Sequence, residues 1–369
     1  MAMVRFGDVA ERVNTKEDRF NTDLVYYVGG DHIESNALTV SGRGKIKEAD
    51  LGPMFYFGFK PGDILFVTRN PHLRKCALVN FSGICSEKTL VIGTKDENVL
   101  SQNYLATVMQ SDDFWEFMEE NKSGSVNYFV NWTTLADYEF NLPSLARQHE
   151  LADLIWAAND LKESYKKAIT ATDEMLKAKF REMFGNCPQV SLASVCKGSG
   201  EYGIAASAGD YDVKKGRYIR ITDIMDDGSL NDDVVSPDKY EEKFILKEDD
   251  ILFARTGNTV GKTYIHKRGH ATFAGYLIRY EVDQTKMLPD YLFAYTHTDE
   301  YYFWVAKTKK IGAQPNINAM QYDGMTLPCP SLALQREFVA IADKAESAKA
   351  NLKKSIAAID QVMKGLINQ

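Results

Sequence analysis

The chain has 369 residues, and its 44 basic and 51 acidic side chains give a formal net charge of −7. This length predicts two or three domains, and a hydrophobic content of 44% excludes an intrinsically disordered chain. No apolar run approaches the roughly 20 residues of a membrane span, and the first residues lack a signal-peptide pattern. The five cysteines are scattered and form no C-x-x-C pair, which indicates a cytoplasmic protein without a zinc site or a disulfide framework.

Residues 1–142 carry the pattern of a mixed α+β domain. Short apolar runs, such as Asp63-Ile64-Leu65-Phe66-Val67 and Thr89-Leu90-Val91-Ile92, are broken by Gly, Pro, Asn and Asp and predict strands. A helical pattern occupies about 103–119. We therefore expect strands and helices together in this first globular domain.

A long helix is predicted over 143–186. Pro143 discourages helix upstream, and Ser144 stands where an N-cap belongs. Apolar or small residues then recur at alternating steps of three and four, which is typical of a heptad seam. The predicted seam positions in this helix are Leu151, Leu154, Leu161, Tyr165 and Met175.

The second part of the chain repeats the first at an offset of 187 residues. The eight residues from Pro143 to Glu150 recur from Pro330 to Glu337 with six identities. The same offset aligns the Asp-Ile-Leu-Phe run at 63–66 with the one at 250–253. A tandem duplication of this kind predicts a second α+β domain over 187–329 and a second long helix over 330–369.

The second helix carries the same heptad pattern. Its predicted seam positions are Phe338, Ile341, Leu352, Ile359 and Val362. Because the globular domain between the helices must return the chain, the two seams are predicted to pack as an antiparallel coiled coil. Two unrelated long helices, each buried on its own domain, are the alternative.

The duplicated organisation resembles the specificity subunits of type I restriction–modification systems. The helix starts at 143–150 and 330–337, of the type P-x-L-x-x-Q-x-E, carry this resemblance together with the heptad-bearing helices. So do Arg255-Thr256-Gly257-Asn258-Thr259-Val260-Gly261-Lys262 after the second Asp-Ile-Leu-Phe run, and Gly312-Ala313-Gln314-Pro315-Asn316-Ile317-Asn318 before the second helix. The resemblance covers essentially the whole chain, although the first repeat departs from the pattern with the glycine-free stretch 69–75.

This resemblance implies a non-catalytic subunit that recognises DNA. Each globular domain would read one half of a split site in double-stranded DNA. The helices would act as spacers and dock two adenine methyltransferase (modification) subunits, and through them the restriction translocase. The chain itself would hold no metal, no catalytic residue and no cofactor, with S-adenosylmethionine bound by the partner methyltransferase.

Three basic patches in each half are the candidate DNA contacts. Glycines at a strand end let backbone approach DNA closely, arginine can pair bidentately with guanine, and amides can pair with adenine. Asn127 is an amide candidate of the first half. The candidate contact residues are Arg43, Lys45, Arg69, Arg74, Lys75, Lys122, Lys214, Lys215, Arg217, Arg220, Arg255, Asn258, Lys262, Lys309, Lys310 and Gln314.

Other interpretations of these features stay open. The run from Gly257 to Thr263 is similar to a nucleotide-binding P-loop, but three residues separate its glycines where a P-loop has four. Basic runs are often only solvated faces. A protein-interaction scaffold built on a coiled-coil rod, without a role on DNA, is the alternative function. Residues 1–144 hold 14 basic against 20 acidic side chains, and residues 187–330 hold 17 against 20, so any basic DNA face must be local.

Overall fold

The computed structural model describes residues 2–309 and 315–369. The chain divides into two compact units, and each is described by itself. Unit 1 comprises Met1–Lys166 and Lys353–Gln369, and unit 2 comprises Lys167–Leu352. Within the described ranges, no helix combines the length and the apolar character that crossing a membrane requires.

Unit 1 is a mixed α+β fold, as the sequence predicts. Its strands are β1 (Ala2–Arg5), β2 (Ala10–Val13), β3 (Tyr26–Val28), β4 (Gly44–Lys45), β5 (Phe55–Phe59), β6 (Ile64–Val67), β7 (Cys76–Leu78), β8 (Gly83–Ser86), β9 (Thr89–Thr94) and β10 (Glu139–Leu142). Its short helices are α1 (Phe6–Val9), α2 (Gln102–Val108), α3 (Asp112–Glu120) and α4 (Trp132–Ala136). One four-stranded sheet has the order β2-β9-β6-β7 and another the order β4-β3-β8-β5, while β1 pairs with β10.

The core of unit 1 lies between the first sheet and the short helices. All four residues of β6 are buried, as a continuous apolar run predicts for a strand covered on both faces. Phe66 on this strand stacks on Trp115 of α3, with ring centroids 5.6 Å apart. Ser111 caps α3 by accepting a hydrogen bond from the backbone N–H of Phe114, which fixes where the helix begins.

Unit 2 repeats this architecture. Its strands are β11 (Gln189–Ser191), β12 (Glu201–Tyr202), β13 (Ala208–Gly209), β14 (Arg217–Ile219), β15 (Ser236–Pro237), β16 (Ile251–Ala254), β17 (Thr263–Ile265), β18 (Ala271–Phe273), β19 (Leu277–Tyr280) and β20 (Thr326–Pro328). Its short helices are α5 (Pro289–Tyr295), α6 (Asp299–Thr308) and α7 (Ala319–Asp323). The sheet order β12-β19-β16-β17 repeats β2-β9-β6-β7, and the pair β11-β20 repeats β1-β10. The duplication predicted from the sequence is therefore a duplication of the fold.

Two long helices complete the units. The first, which for clarity we call the S1 helix, is Leu145–Phe184, and the second, the S2 helix, is Leu332–Ile367. Ser144 accepts a hydrogen bond from the backbone N–H of Arg147 at 3.4 Å, as the predicted N-cap requires. Both helices begin and end within a few residues of the predicted ranges.

Within each unit the S1 and S2 segments run antiparallel. In unit 1, Lys162 pairs with Asp360 at 2.6 Å. In unit 2, Lys349 pairs with Asp173 at 2.5 Å. Lys349 lies 187 positions after Lys162, and Asp173 lies 187 positions before Asp360. The duplication therefore reproduces the same ion pair between the two helices in both units.

The predicted seam needs a correction at alternate positions. Leu151 and Phe338 are buried, and Tyr165, Ile341, Leu352 and Ile359 are half-buried. In contrast, four predicted seam residues are 45–58% exposed: Leu154, Leu161, Met175 and Val362.

At each of these four positions, or at the equivalent position 187 residues away in the other helix, the helix buries the next residue instead. Ile155, Lys349 and Met363 are each more than nine-tenths buried, and the Lys162 side chain is only 15% exposed. The seam therefore contains lysines whose charges are matched by Asp360 and Asp173 across the helix pair. A heptad assignment based on apolar residues passes over a lysine and takes the leucine or alanine beside it. This explains why the predicted seam lies one residue before the buried positions.

Candidate nucleic-acid interface

Two of the predicted basic patches meet at the end of the central strand in each unit. In unit 1 the backbone N–H of Asn70 donates to the carbonyl of Tyr128 at 3.0 Å, and that of Val130 donates to Thr68 at 2.9 Å. The loop that leaves β6 is thereby joined to the loop between α3 and α4.

The same joint recurs in unit 2. The backbone N–H of Gly257 donates to Pro315 at 3.0 Å, and that of Ile317 donates to Arg255 at 2.9 Å. All four residues lie 187 positions after their counterparts in unit 1. The strand-exit loops at 68–75 and 255–262 are thus equivalent in backbone, although their side chains differ.

The strand-exit loops also share two left-handed backbone positions. In unit 2 these are Gly257 at φ 71° and Gly261 at φ 92°. In unit 1 the equivalent positions are Asn70 at φ 52° and Arg74 at φ 49°. A left-handed conformation costs a non-glycine residue on the order of 1 kcal/mol, so the surrounding hydrogen bonds must hold unit 1 in it. The missing glycines of the first repeat therefore do not change the shape of the loop.

Most candidate cations of unit 1 already have partners within the unit. Arg74 pairs with Asp112 at 2.6 Å, Lys75 donates to the carbonyl of Gly30 at 2.6 Å, and Lys45 pairs with Glu48 at 2.7 Å. Arg74 and Lys75 thereby hold the strand-exit loop in shape, whereas the Lys45–Glu48 pair lies exposed on the surface.

Two further cations of unit 1 support the loop between α3 and α4. Arg69 donates to the carbonyl of Asn127 at 3.3 Å and lies over the ring of Phe129. Lys122 pairs with Glu119 at 2.6 Å, and its ammonium lies 4.5 Å from the centroid of Tyr128.

Arg43 differs from these cations. Its guanidinium lies 4.1 Å from the ring centroid of Tyr26 and 4.8 Å from that of Phe81, and the residue is exposed. No carboxylate within the described ranges pairs with it. Two aromatic rings hold the planar guanidinium in place while its N–H donors remain available, an arrangement suited to recognition of phosphate or guanine.

Several candidate cations of unit 2 form ion pairs or hydrogen bonds with the segment 223–238. Arg220 pairs with Asp223 at 2.6 Å and with Asp233 at 2.7 Å, and Arg217 donates to the carbonyl of Asn231 at 2.6 Å. The hydrogen bonds that Arg220 donates to Asp223 and to Asp233 raise its pKa above the ordinary value despite its partial burial. This guanidinium is therefore locked into an intramolecular network.

Two other predicted cations contact the same segment. Lys262 pairs with Asp226 at 2.7 Å, and Lys215 donates to the carbonyl of Pro237 at 3.2 Å. Together with Arg217 and Arg220, they fix a loop rather than offer free charge.

The other predicted contacts of unit 2 are more available. Arg255 lies over the ring of Tyr202 at 4.7 Å from its centroid, at the start of the strand-exit loop. Lys214, Asn258 and Lys309 are exposed, and their side chains find no polar partner in the part of the chain that the structure describes. Lys310 and Gln314 lie outside the described residues.

A carboxylate that sequence reasoning missed joins the strand-exit loop of unit 1 to the S2 helix. Asp112 accepts from Arg74, pairs with Lys364 at 3.2 Å, and through its backbone N–H donates to Asn368. The hydrogen bond from Arg74, followed by that from Lys364, lowers the pKa of Asp112 below its ordinary value.

Unit 2 repeats this carboxylate clamp 187 residues later. Asp299 pairs with Lys177 at 3.2 Å and with Arg181 at 3.2 Å, both on the S1 helix. Applying the repeat offset to Asp112 would have identified the clamp from the sequence, because Asp299 also begins a helix after a hydroxyl N-cap.

No group of three or more potential metal ligands occurs among residues 2–309 and 315–369. The candidate contact residues on the loops of both units are cations and amides, and aromatic rings lie beside Arg43, Arg69 and Arg255. Such groups suit contacts to phosphates and base edges.

Comparison with known proteins agrees with this geometry. The family model of the "Type I restriction modification DNA specificity domain" matches residues 189–361. No protein with a curated description matches the chain by sequence.

Two solved structures share the fold over nearly the whole chain. One is the specificity (S) subunit of a type I restriction–modification system from M. genitalium, with a TM-score of 0.60 and 12% identity, covering 99% of this chain and 94% of that chain. The other comes from a study of complex assembly and conformational transition of the type I system, with a TM-score of 0.58 and 17% identity, covering 99% of this chain and 96% of that chain. Residues 189–361 therefore form a DNA specificity domain of the type I restriction–modification family, and the whole chain shares the fold of these two structures.

Proposed function

We propose that this subunit reads a bipartite DNA site, with one half-site recognised by each unit. The observation that carries the proposal is the strand-exit joint, which has the same backbone in both units but different side chains. Equivalent scaffolds with Asn70 and Arg74 in one unit and Gly257 and Gly261 in the other would present different groups to DNA. Two similar readers with different surfaces suit a site whose two halves differ in sequence.

The domain boundaries of this proposal are those predicted from the sequence. Residues 1–142 and 187–329 would be the target-recognition domains, and 143–186 and 330–369 the spacer helices. Affinity would come mainly from phosphate contacts and specificity from a few base-edge groups in each domain. Because both domains carry net negative charge, binding by the isolated chain should be weak and sensitive to salt.

Catalysis would belong to partner subunits. Two adenine methyltransferase subunits would supply the bound S-adenosylmethionine, and restriction subunits would join through the complex in the cytoplasm. The exposed face of the S1 helix supports docking of a helical partner, since Leu154 and Leu161 lie one heptad apart and are 52% and 45% exposed.

Methylome sequencing tests the function as a whole. In a host that carries the methyltransferase partner, deletion of this chain should abolish a split adenine-methylated motif. An unchanged methylome would favour the alternative, a protein-interaction scaffold without a role on DNA.

The docking face has its own test. Leu161→Glu should weaken co-purification with the methyltransferase subunit while leaving thermal unfolding nearly unchanged, because the side chain is exposed. Glu163→Gln, on the same helical turn, is the matched control. Equal co-purification by Leu161→Glu and the parent would place the docking surface elsewhere.

A further inference from the structure

The loop between α3 and α4 of unit 1 forms a closed β-hairpin. Ser123 and Phe129 exchange two backbone hydrogen bonds, of 2.8 and 2.9 Å. Gly124 begins the turn in a left-handed conformation at φ 99°, which a side chain would strain. The hairpin tip, defined as residues 125–127, therefore projects from a fixed base.

The base of the hairpin is anchored on both sides. Tyr128 and Val130 pair with the strand-exit loop, and Arg69 donates to the backbone carbonyl of Asn127. Lys122 lies against the ring of Tyr128. Two cations thus flank the point where the tip leaves the domain, although the surrounding unit is acidic overall.

The tip itself carries Ser125, Val126 and Asn127, and all three are exposed. Val126 is 84% exposed, more than any other large apolar side chain of the described chain. The side chains of Ser125 and Asn127 find no hydrogen-bond partner among the described residues. An apolar side chain at a rigid tip, beside a free amide and between two cations, is placed for contact rather than for packing.

The chemistry of this tip matches one base pair. In the major groove an asparagine amide pairs bidentately with N6 and N7 of adenine, and an apolar side chain contacts the methyl group of thymine. Neighbouring residues on one tip can reach both members of a single A·T pair. Arg69, which uses one guanidinium N–H on the carbonyl of Asn127, would meet a neighbouring phosphate through its other donors, while Lys122 stays paired with Glu119.

We propose that the hairpin tip reads an A·T base pair in the major groove of the half-site of unit 1, with Asn127 on the adenine and Val126 on the thymine methyl. This inference rests on the proposed function, and it adds a named base pair and two named contacts. By sequence offset, Gln314 is the counterpart of Asn127, so an amide stands at the same place in the second repeat.

Removal of the thymine methyl tests the contact directly. The probe is a duplex carrying the split motif found by methylome sequencing, with each thymine replaced in turn by uracil, and the protein is the full chain with its methyltransferase partner. At one thymine, uracil should weaken binding by the parent about fourfold, the value of one buried methyl group. Binding by Val126→Gly should not respond to uracil at that position.

Asn127→Ala tests the other contact. It should weaken binding of the parent motif by about 5- to 150-fold, the range of one good bidentate pair, and relax the preference for A·T at the same position. Phe20→Ala, at another exposed apolar residue of unit 1, should retain the full response to uracil. Circular dichroism and thermal unfolding confirm that each variant is folded.

Two results would overturn the inference while leaving the proposed function intact. In the first, residues 1–142 are exchanged for the first domain of another specificity subunit, and the half-site that changes contains no A·T pair. The other is a uracil scan in which Val126→Gly and the parent respond alike at every thymine. Absence of any methylated motif would instead contradict the proposed function itself.

Discussion

Gln148 is the residue through which the S1 helix is fastened to unit 1. Its side chain is completely buried, and its Oε1 accepts from the backbone N–H of Ser101 at 2.9 Å. Its Nε2 donates to the carbonyls of Val99 and Pro143 at 2.9 and 3.0 Å. The side-chain amide thus satisfies three backbone groups, and we expect Gln148→Met to leave all three unpaired without opening a large cavity.

The size of the effect follows from these contacts. Each buried polar group that loses its partner costs about 1–3 kcal/mol, and carbonyls can relieve part of the loss with their second lone pair. We therefore expect Gln148→Met to lower the free energy of unfolding of the domain by about 2–5 kcal/mol. Gln335→Met should have a similar effect in unit 2, where Gln335 makes the equivalent contacts with Leu288, Lys286 and Pro330.

Gln148→Glu separates hydrogen bonding from packing. Glutamate keeps an acceptor for Ser101 but brings a buried carboxylate against two carbonyls, so it should be less stable than the methionine variant at neutral pH. Burial raises the pKa of this carboxyl in the folded state, so the folded chain takes up the proton first. The glutamate variant should consequently lose stability as the pH rises from about 4 to 7.

Urea unfolding and hydrogen exchange at the Ser101 amide measure these effects. Arg147→Met is the control, since its side chain is 45% exposed and should change stability by less than about 0.5 kcal/mol. Two results would refute this account of the Gln148 hydrogen bonds. One is a loss of less than about 1 kcal/mol in the free energy of unfolding for Gln148→Met. The other is a glutamate variant as stable as the parent at neutral pH.

Three further variants probe the seam, the carboxylate clamp and the free cation. Lys162→Glu sets two carboxylates against each other in a seam that excludes most water, so it should cost about 2–4 kcal/mol in urea unfolding, and Asp360→Lys in the same chain should recover at least half; purely additive losses would argue against the pairing. Because Arg74 holds the pKa of Asp112 down, the pair stabilises the fold above the ordinary carboxyl pKa and loses this contribution as the pH falls through the lowered value. Asp112→Asn should therefore flatten the acid limb of a thermal-stability profile below about pH 4, and an unchanged limb would contradict the assignment. Arg43→Ala should weaken DNA binding and reduce the slope of log K against log salt by about 1 if the guanidinium contacts a phosphate, whereas an unaltered slope and affinity would exclude such a contact.

The sequence allowed the duplicated fold to be predicted because the repeat offset preserves the residues that build it. The buried run at 63–66, the helix start at 143–150 and the N-cap Ser144 all appear in the structure where the pattern places them. The family prediction is confirmed for residues 189–361, where the family model matches. These features depend on local periodicity and on comparison of one half with the other, which a single sequence contains.

The contacts of the candidate cations could not be predicted in the same way. Arg220 resembles a free DNA contact in the sequence, yet Asp233, thirteen residues away, pairs with it once the loop folds. A sequence pattern assigns Lys162 and Lys349 to the solvent-exposed face. Their burial depends on the facing aspartates, which offset the cost of burying the lysine charges. Which charges remain free is decided by distant partners, so the DNA contacts themselves stay predictions.

The shared left-handed positions of the strand-exit loops have a consequence for engineering. Asn70 and Arg74 occupy the backbone places of Gly257 and Gly261, and both loops join their neighbour through hydrogen bonds at matching residues. The stretches 69–75 and 256–262 therefore correspond residue for residue, but Gly261 has to remain a glycine in any exchange, because a Cβ there would lie 2.8 Å from Val305. Transplanting the other six residues of the stretch would move whatever base preference those side chains encode, while the bases read by the hairpin tip would stay with their own unit.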